Sequence, residues 1–354
     1  MIHLAEPWLC GNEEKYVNDA LRRGQLSAGS YVENFEASFA SLMGCAYGIS
    51  TTSGTTSLHL ILAAMGIGHG DEVIVPALTF VATANAVRYV DAIPVLADVN
   101  SKTWCIDPVD VDRKITPYTA CVIAVHLYGH PADMTELRGV CGSIPIIEDA
   151  AEAPGARWGG LPVGSLGTAA AFSFYGNKII TTGEGGMVTT NDETLARVMR
   201  KMRGQGQDPE RRYWHPTVGF NYRMTEMQGA LGLAQVENLE LHLNARQQIA
   251  NAYHSCAPEL DWQGRVTTAK PVYWMNVALF RDRDEVAKRC LDEAIETRPT
   301  FYPLHAMPPY RDCGAMGDFP VAERVAAHGL CLPSHACMTL DDVADVCEVL
   351  HDAA

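Results

Sequence analysis

Short apolar runs bounded by turn residues alternate with helix-like patterns from Val73 to Met202. This alternation restricts the possible folds more than any other property of the chain. Val73-Ile74-Val75, Ile93-Pro94-Val95-Leu96, Cys121-Val122-Ile123-Ala124-Val125 and Ile144-Pro145-Ile146-Ile147 read as buried strands. Ser57 to Met65, Val81 to Tyr89 and Leu195 to Met202 read as helices between or after them. Nearly continuous apolar strands separated by helices predict an α/β fold, with a mostly parallel sheet covered on both faces. In such sheets ligands bind beyond the carboxyl ends of the strands. The polar residues that follow each run are therefore the ones with chemistry to do.

At 354 residues the chain is long enough for two domains. A long helix is expected from about Met224 to Tyr253, joining a large domain over 1–245 to a smaller α+β domain over 246–354. The latter mixes a strand, Tyr273 to Phe280, with helices near Asp284 to Glu293, Val321 to Ala327 and Leu340 to Leu350. Net charge is −15, which makes nucleic acid and anionic membranes poor partners. Any bound phosphate must be held by local geometry instead. The 11 cysteines are scattered singly, without a CxxC pair or zinc-like Cys-His spacing, and read as reduced thiols of a cytoplasmic protein with no metal site. His126 and His130 in "HLYGH" follow a strand rather than share a helix face, so they are not read as metal ligands either. The opening Met-Ile-His-Leu-Ala-Glu has neither the basic nor the apolar region of a secretory signal. The most apolar stretch, Val73 to Val87, is interrupted by Pro76, Thr79, Thr83 and Asn85 and cannot span a bilayer.

Three strand-end elements stand out. Thr52-Ser53-Gly54-Thr55-Thr56-Ser57 precedes an apolar helix, where free backbone amides either hold a phosphate or receive an ordinary N-cap. Glu148-Asp149-Ala150-Ala151-Glu152 follows a strand, and a carboxylate there suits a metal, a ribose, a ring nitrogen or a helix cap. The third is "FSFYGNKIITTGEGG", in which Lys178 lies between an apolar strand and a glycine-rich turn. A lysine in that position is either salt-bridged, solvated, or desolvated with the lowered pKa that Schiff-base chemistry needs. Gly183-Glu184-Gly185-Gly186 does not form GxGxxG and precedes a strand rather than a helix, which argues against a dinucleotide-binding turn and an oxidoreductase.

Asp149, Ser173 and Lys178 together resemble the fold-type I pyridoxal-phosphate enzymes. More narrowly, the chain resembles the DegT/DnrJ/EryC1/StrS family of sugar aminotransferases. The resemblance extends through "SAGSYVENFEASFA", "SGTTSLHLILAAMGIGHGDEVIVPALTFVATANAV", "VHLYGHPADM", "VGFNYRMTEMQGALGLAQVE" and "ETRPTFYPLHAMPPY". It implies pyridoxal 5′-phosphate as cofactor, with pyridoxamine 5′-phosphate formed in turnover, and L-glutamate and a nucleotide sugar as substrates. It also implies a homodimer whose active site is shared between subunits. Lys178 would carry the cofactor and move the proton, and Asp149 would pair with the pyridine nitrogen. Glu152 would lie near the cofactor's hydroxyl and Phe80 would stack on the ring. Gly54, Thr55 and Ser173 would hold the phosphate, and Asn221 would reach the neighbouring subunit's cofactor.

Within the family, "FYGNKIITTGEGG", "RGQGQDPERRYWHPTVGFNYRMT" and "TRPTFYPLHAMPPY" look most like members that aminate C4 of GDP-4-keto-6-deoxy-D-mannose. By the same resemblance Arg298, Tyr302 and His305 would contact the sugar nucleotide, with Ser27, Tyr213 and Trp214 as further candidates. The family's alternatives are another keto sugar, a cyclitol, an antibiotic intermediate, or a non-catalytic cofactor-binding regulator. A dehydratase branch carries His at the position of Lys178, so retaining the lysine favours transamination. The chain departs from the family at Ala294, where glycine is usual, at Asn276, where an aromatic is common, and in a short segment after Trp262.

Overall fold

The computed structural model describes residues 1–353. A central sheet of seven strands runs in the order Tyr47–Thr51, Gly186–Thr190, Ala169–Ser173, Ile146–Asp149, Thr119–Val125, Glu72–Pro76, Ile93–Ala97. The last five strands of that order pair in parallel, and Gly186–Thr190 runs antiparallel to both of its neighbours. The sheet is mostly parallel, as the apolar runs predict, and one reversed strand brings the glycine-rich turn back to the carboxyl edge.

Val73, Ile74 and Val75 are buried, as are Val122, Ile123, Ala124 and Ile147, so these strands are covered on both faces. Ala169, Ala170 and Ala171 give one strand small side chains, which lets the helix Gly54–Ala64 lie against it. On another part of the sheet Phe39 meets Phe172 edge-on at 4.8 Å and Phe174 at 5.2 Å. These aromatic contacts fix the strand that leads into Lys178.

A smaller antiparallel sheet runs in the order Asp261–Trp262, Asn276–Leu279, Gly329–Leu332, Arg298–Pro299. Ile249, Tyr253, Phe280, Val286, Leu330, Val346 and Leu350 form a second apolar cluster around it.

Two expectations are corrected. The single helix from Met224 to Tyr253 is two helices, Glu226–Glu237 and Leu239–Cys256, broken at Asn238. Asn238 has φ −110° and ψ 13°, and its side chain donates to the carbonyl of Ala234, capping the first helix as the second begins. The strand read as Ile144–Ile147 is Ile146–Asp149, because Ala124 pairs with Glu148 and Val125 with Asp149. Two acids therefore end a buried strand. Glu148 is tolerated because the amides of Gly164, Leu166 and Gly167 and the ring of His126 surround its carboxylate.

Candidate active site

The carboxyl edge of the central sheet holds a cavity of about 340 Å³, within the size range of small-molecule sites. Its lining comes from six strand ends, Val125 of Thr119–Val125 among them. The turn after Tyr47–Thr51 contributes Ser53, Gly54 and Thr55, and the loop after Glu72–Pro76 contributes Thr79 and Phe80. Asp149 and Glu152 come from the end of Ile146–Asp149, Ser173 ends its own strand, and Lys178 lies before Gly186–Thr190. Trp274, Arg298 and Phe301 close the cavity from the C-terminal part of the chain. A larger depression of about 720 Å³, among Met1, Arg289, Glu293, Asp345 and Glu348, brings together none of these strand ends.

Lys178 is 12 % exposed, and its amine stands 3.8 Å from Glu152 Oε1 and 3.9 Å above the centre of the Trp274 ring. Burial lowers the ammonium's pKa, while Glu152 and Asp149 oppose that fall. The backbone around it is pinned: Thr181 Oγ1 donates to the Phe174 carbonyl, and Trp274 Nε1 donates to the Asn177 carbonyl at 2.8 Å. A long side chain held on a fixed loop, with an amine made easier to deprotonate, suits a nucleophile or proton carrier.

The two carboxylates differ in environment. Burial raises the pKa of Asp149, countered by donation from Thr83 Oγ1 at 2.7 Å and from the Ala151 amide at 3.2 Å. Glu152 accepts from the Tyr128 amide at 2.7 Å, and burial pushes its pKa up to about 7 against the pull of Lys178. The backbone of Tyr128 is held at φ 56°, a left-handed conformation costly for a bulky residue, and this turn aims its amide at Glu152.

The helix Gly54–Ala64 begins at the cavity. Ser53 and Thr56 form a capping box, which leaves the Gly54 and Thr55 amides as first-turn donors without an intrahelical partner. A Cβ on Gly54 would come within 2.9 Å of the Ser173 Cβ, so only glycine lets the helix start against that strand end. These features fit pyridoxal 5′-phosphate: paired free amides for a phosphate, a buried carboxylate, and a desolvated lysine.

Of the residues named from sequence, Gly54, Thr55, Phe80, Asp149, Glu152, Ser173, Lys178 and Arg298 converge on this cavity. Ser27, Tyr213, Trp214, Asn221, Tyr302 and His305 lie outside its lining. Ser27, Tyr213, Trp214, Asn221 and Tyr302 are exposed, whereas His305 is buried and bonded through Nε2 to Glu323 at 3.0 Å. Sequence reasoning missed Thr83, Trp274 and Phe301. Thr83 lies four residues after Thr79 on the loop-to-helix turn, and that spacing was a usable signal. Trp274 had none, since it reaches Lys178 from a remote segment.

Such a lysine, with these carboxylates at the carboxyl edge of a mostly parallel sheet, puts the chain among the fold-type I pyridoxal-phosphate-dependent transferases. The chain belongs to the DegT/DnrJ/EryC1/StrS aminotransferase family, whose model matches residues 9–351. It is 47% identical to the GDP-perosamine synthase of Caulobacter vibrioides over 99% of this chain and 97% of that one. It is 40% identical to the GDP-perosamine synthase of Escherichia coli O157:H7, covering 99% and 98%. A putative pyridoxal phosphate-dependent aminotransferase of Bacillus subtilis, EpsN, is 34% identical over 99% and 95%. Among solved structures, the sugar aminotransferase CalS13 of Micromonospora echinospora superposes with a TM-score of 0.94 at 28% identity, covering both chains fully at 100%.

Proposed function

We propose that this protein transfers the amino group of L-glutamate to the C4 ketone of a nucleotide-linked 4-keto-6-deoxy sugar. The substrate we infer is GDP-4-keto-6-deoxy-D-mannose and the product GDP-perosamine. The observation that carries this reading is full-length identity of 37% to 47% to three GDP-perosamine synthases.

When bound, pyridoxal 5′-phosphate supplies the electron sink for proton loss next to nitrogen. Lys178 would hold it and would carry the transferred proton on its amine, whose burial favours the neutral, basic form. Asp149 would accept a hydrogen bond from the protonated ring nitrogen, and donation from Thr83 favours its charged form. Glu152 orients Lys178 and would lie near the ring hydroxyl. The Gly54 and Thr55 amides and the Ser173 hydroxyl would take the phosphate, and Phe80, 54 % exposed at the cavity, would cover the ring face. Arg298 would bind the substrate phosphates, with Ser27, Tyr213, Trp214 and Tyr302 around the sugar nucleotide, whereas His305, buried against Glu323, would support that segment rather than touch the sugar.

The site is completed by a second copy of the chain, giving a homodimer. Two observations support this. Asn221 is exposed and outside its own chain's cavity. The segment Arg211–Val218 is exposed throughout, with Tyr213 at 76 % and Val218 at 83 %, as an unpaired interface would be. We assign 1–245 to a large cofactor-holding domain and 246–354 to a small domain, with Ala354 outside the described residues. The helix Leu239–Cys256 crosses that boundary, and its second half enters the second apolar cluster. Among the described residues no helix is long and apolar enough to cross a membrane, and we place the protein in the cytoplasm.

The test is amino transfer from L-glutamate to 4-keto-6-deoxy sugars carried on GDP, dTDP or UDP, read as the amino-sugar product by mass. Preferred turnover of the GDP sugar is expected. Turnover restricted to dTDP or UDP sugars would discard the substrate and keep the chemistry. Absence of transfer to any ketone would favour a regulatory role, as the name of one relative, a pleiotropic regulatory protein of Geobacillus stearothermophilus, gives to that protein.

A further inference from the structure

Away from the cavity, Glu6, His335 and Cys337 offer one ligand atom each, all within 4.8 Å of one another. The three come from two segments that the backbone already stitches together. The Ser334 amide donates to the Leu4 carbonyl at 3.0 Å, and the Leu4 amide donates to Glu296 Oε2 at 3.1 Å. His335 is buried, and its Nδ1 has no hydrogen-bond partner. A buried ring nitrogen left unsatisfied costs free energy unless something occupies it. Cys337 is exposed and Glu6 is exposed, so an ion can reach both.

We propose that Glu6, His335 and Cys337 bind a thiophilic divalent cation, Zn²⁺ by preference, as a clamp between the N-terminal segment and the loop after the strand Gly329–Leu332. One thiolate, one imidazole and one carboxylate suit tetrahedral zinc, with the fourth position left to water. Binding releases the thiol proton to solvent and changes no oxidation state. Other charges face the group. Asp342 adds negative charge at His335 and His3 approaches Glu6 at 3.7 Å, while Arg246 opposes a cation. Its guanidinium is turned to the carbonyls of Trp274 and Ser334, which absorb part of that charge. Cys-His spacing gives no sign of this group, because Glu6 is more than three hundred residues from its partners. The proposal does not rest on the aminotransferase reading.

The experiment is titration of the chelator-treated full-length protein with Co²⁺, followed by competition with Zn²⁺ against a chromophoric chelator. One equivalent of Co²⁺ should give a thiolate-to-cobalt charge-transfer band, displaced by Zn²⁺. Cys337→Ser should remove the band, and Cys337→Ser and Glu6→Gln should each weaken Zn²⁺ by at least about 10-fold, the low end even for second-shell partners. His335→Gln should do the same, with its fold checked by circular dichroism. Cys313→Ser, at a half-buried thiol outside the group, should change nothing. No band at one equivalent would overturn the proposal. So would a band that persists in Cys337→Ser or disappears in Cys313→Ser.

Discussion

The Thr83 hydroxyl donates to Asp149 Oδ2 at 2.7 Å, joining the helix Ala82–Tyr89 to the end of the strand Ile146–Asp149. Two strand-end segments are thereby locked together at the group expected to face the cofactor's ring nitrogen. Replacing Thr83 with valine keeps the shape and removes the donor. A hydrogen bond to a charged group is worth about 1.5–3 kcal/mol, so urea unfolding should show a loss of that size. Asp149 would also be harder to ionise, so the acid limb of kcat/KM should move to higher pH. An unchanged limb with unchanged stability would mean that Thr83 does not tune Asp149.

Glu152 makes stability depend on pH. Its folded pKa of about 7 lies above its ordinary 4.5 because burial disfavours the charge. Between those values the folded state binds more protons than the unfolded one, so this group's contribution falls as pH rises through that window. Glu152→Gln mimics the protonated form and should remove the slope. The variant should therefore gain on the wild type by up to about 3 kcal/mol between pH 4.5 and pH 8, at 1.36 kcal/mol per pKa unit. Urea midpoints of the cofactor-free proteins across that range give the answer, and parallel curves would contradict it.

Gly54 begins a helix against Ser173, and a side chain there would crowd the phosphate site. Gly54→Val should weaken pyridoxal 5′-phosphate by at least about 10-fold, since charge-assisted contacts worth about 1.5–3 kcal/mol are lost. Pyridoxal, which lacks the phosphate, should bind the variant and the wild type alike. Equal weakening of both ligands, measured by fluorescence titration, would place the damage elsewhere.

Ala294 lies at φ 58°, in the left-handed region that suits glycine. Its carbonyl accepts from the Ile2 amide at 2.8 Å, so the turn is held in place. A non-glycine residue there costs about 1–2 kcal/mol, partly offset by the extra unfolded-state freedom of glycine. Ala294→Gly should stabilise the protein by up to about 1 kcal/mol in urea unfolding. A loss of stability would show that the methyl group packs usefully.

The strand ends were legible because apolar runs locate buried strands and the next polar residues must lie at the sheet's carboxyl edge. Asp149, Ser173 and Lys178 could be found that way. The break at Asn238 was not, because Asn also occurs within helices and its cap geometry depends on tertiary direction. Trp274 was invisible because its contact with Lys178 joins segments nearly a hundred residues apart. Asn221, Tyr213 and Trp214 are legible as family motifs, but one chain alone gives them no cavity to line. The extension of the strand to Asp149 was hidden by Glu148, whose burial the Gly164, Leu166 and Gly167 amides and the His126 ring make tolerable.

The central claim is that Lys178 serves amino transfer from L-glutamate to a GDP-linked keto sugar. The most direct measurement is the visible absorption of the cofactor-loaded protein through both half-reactions. L-Glutamate should abolish the band, and GDP-4-keto-6-deoxymannose should restore it. Lys178→Ala should lose at least about 100-fold in the rate of that cycle, as expected for a proton-transfer residue. A spectrum that does not respond to L-glutamate, or a Lys178→Ala variant cycling at the wild-type rate, would contradict the account.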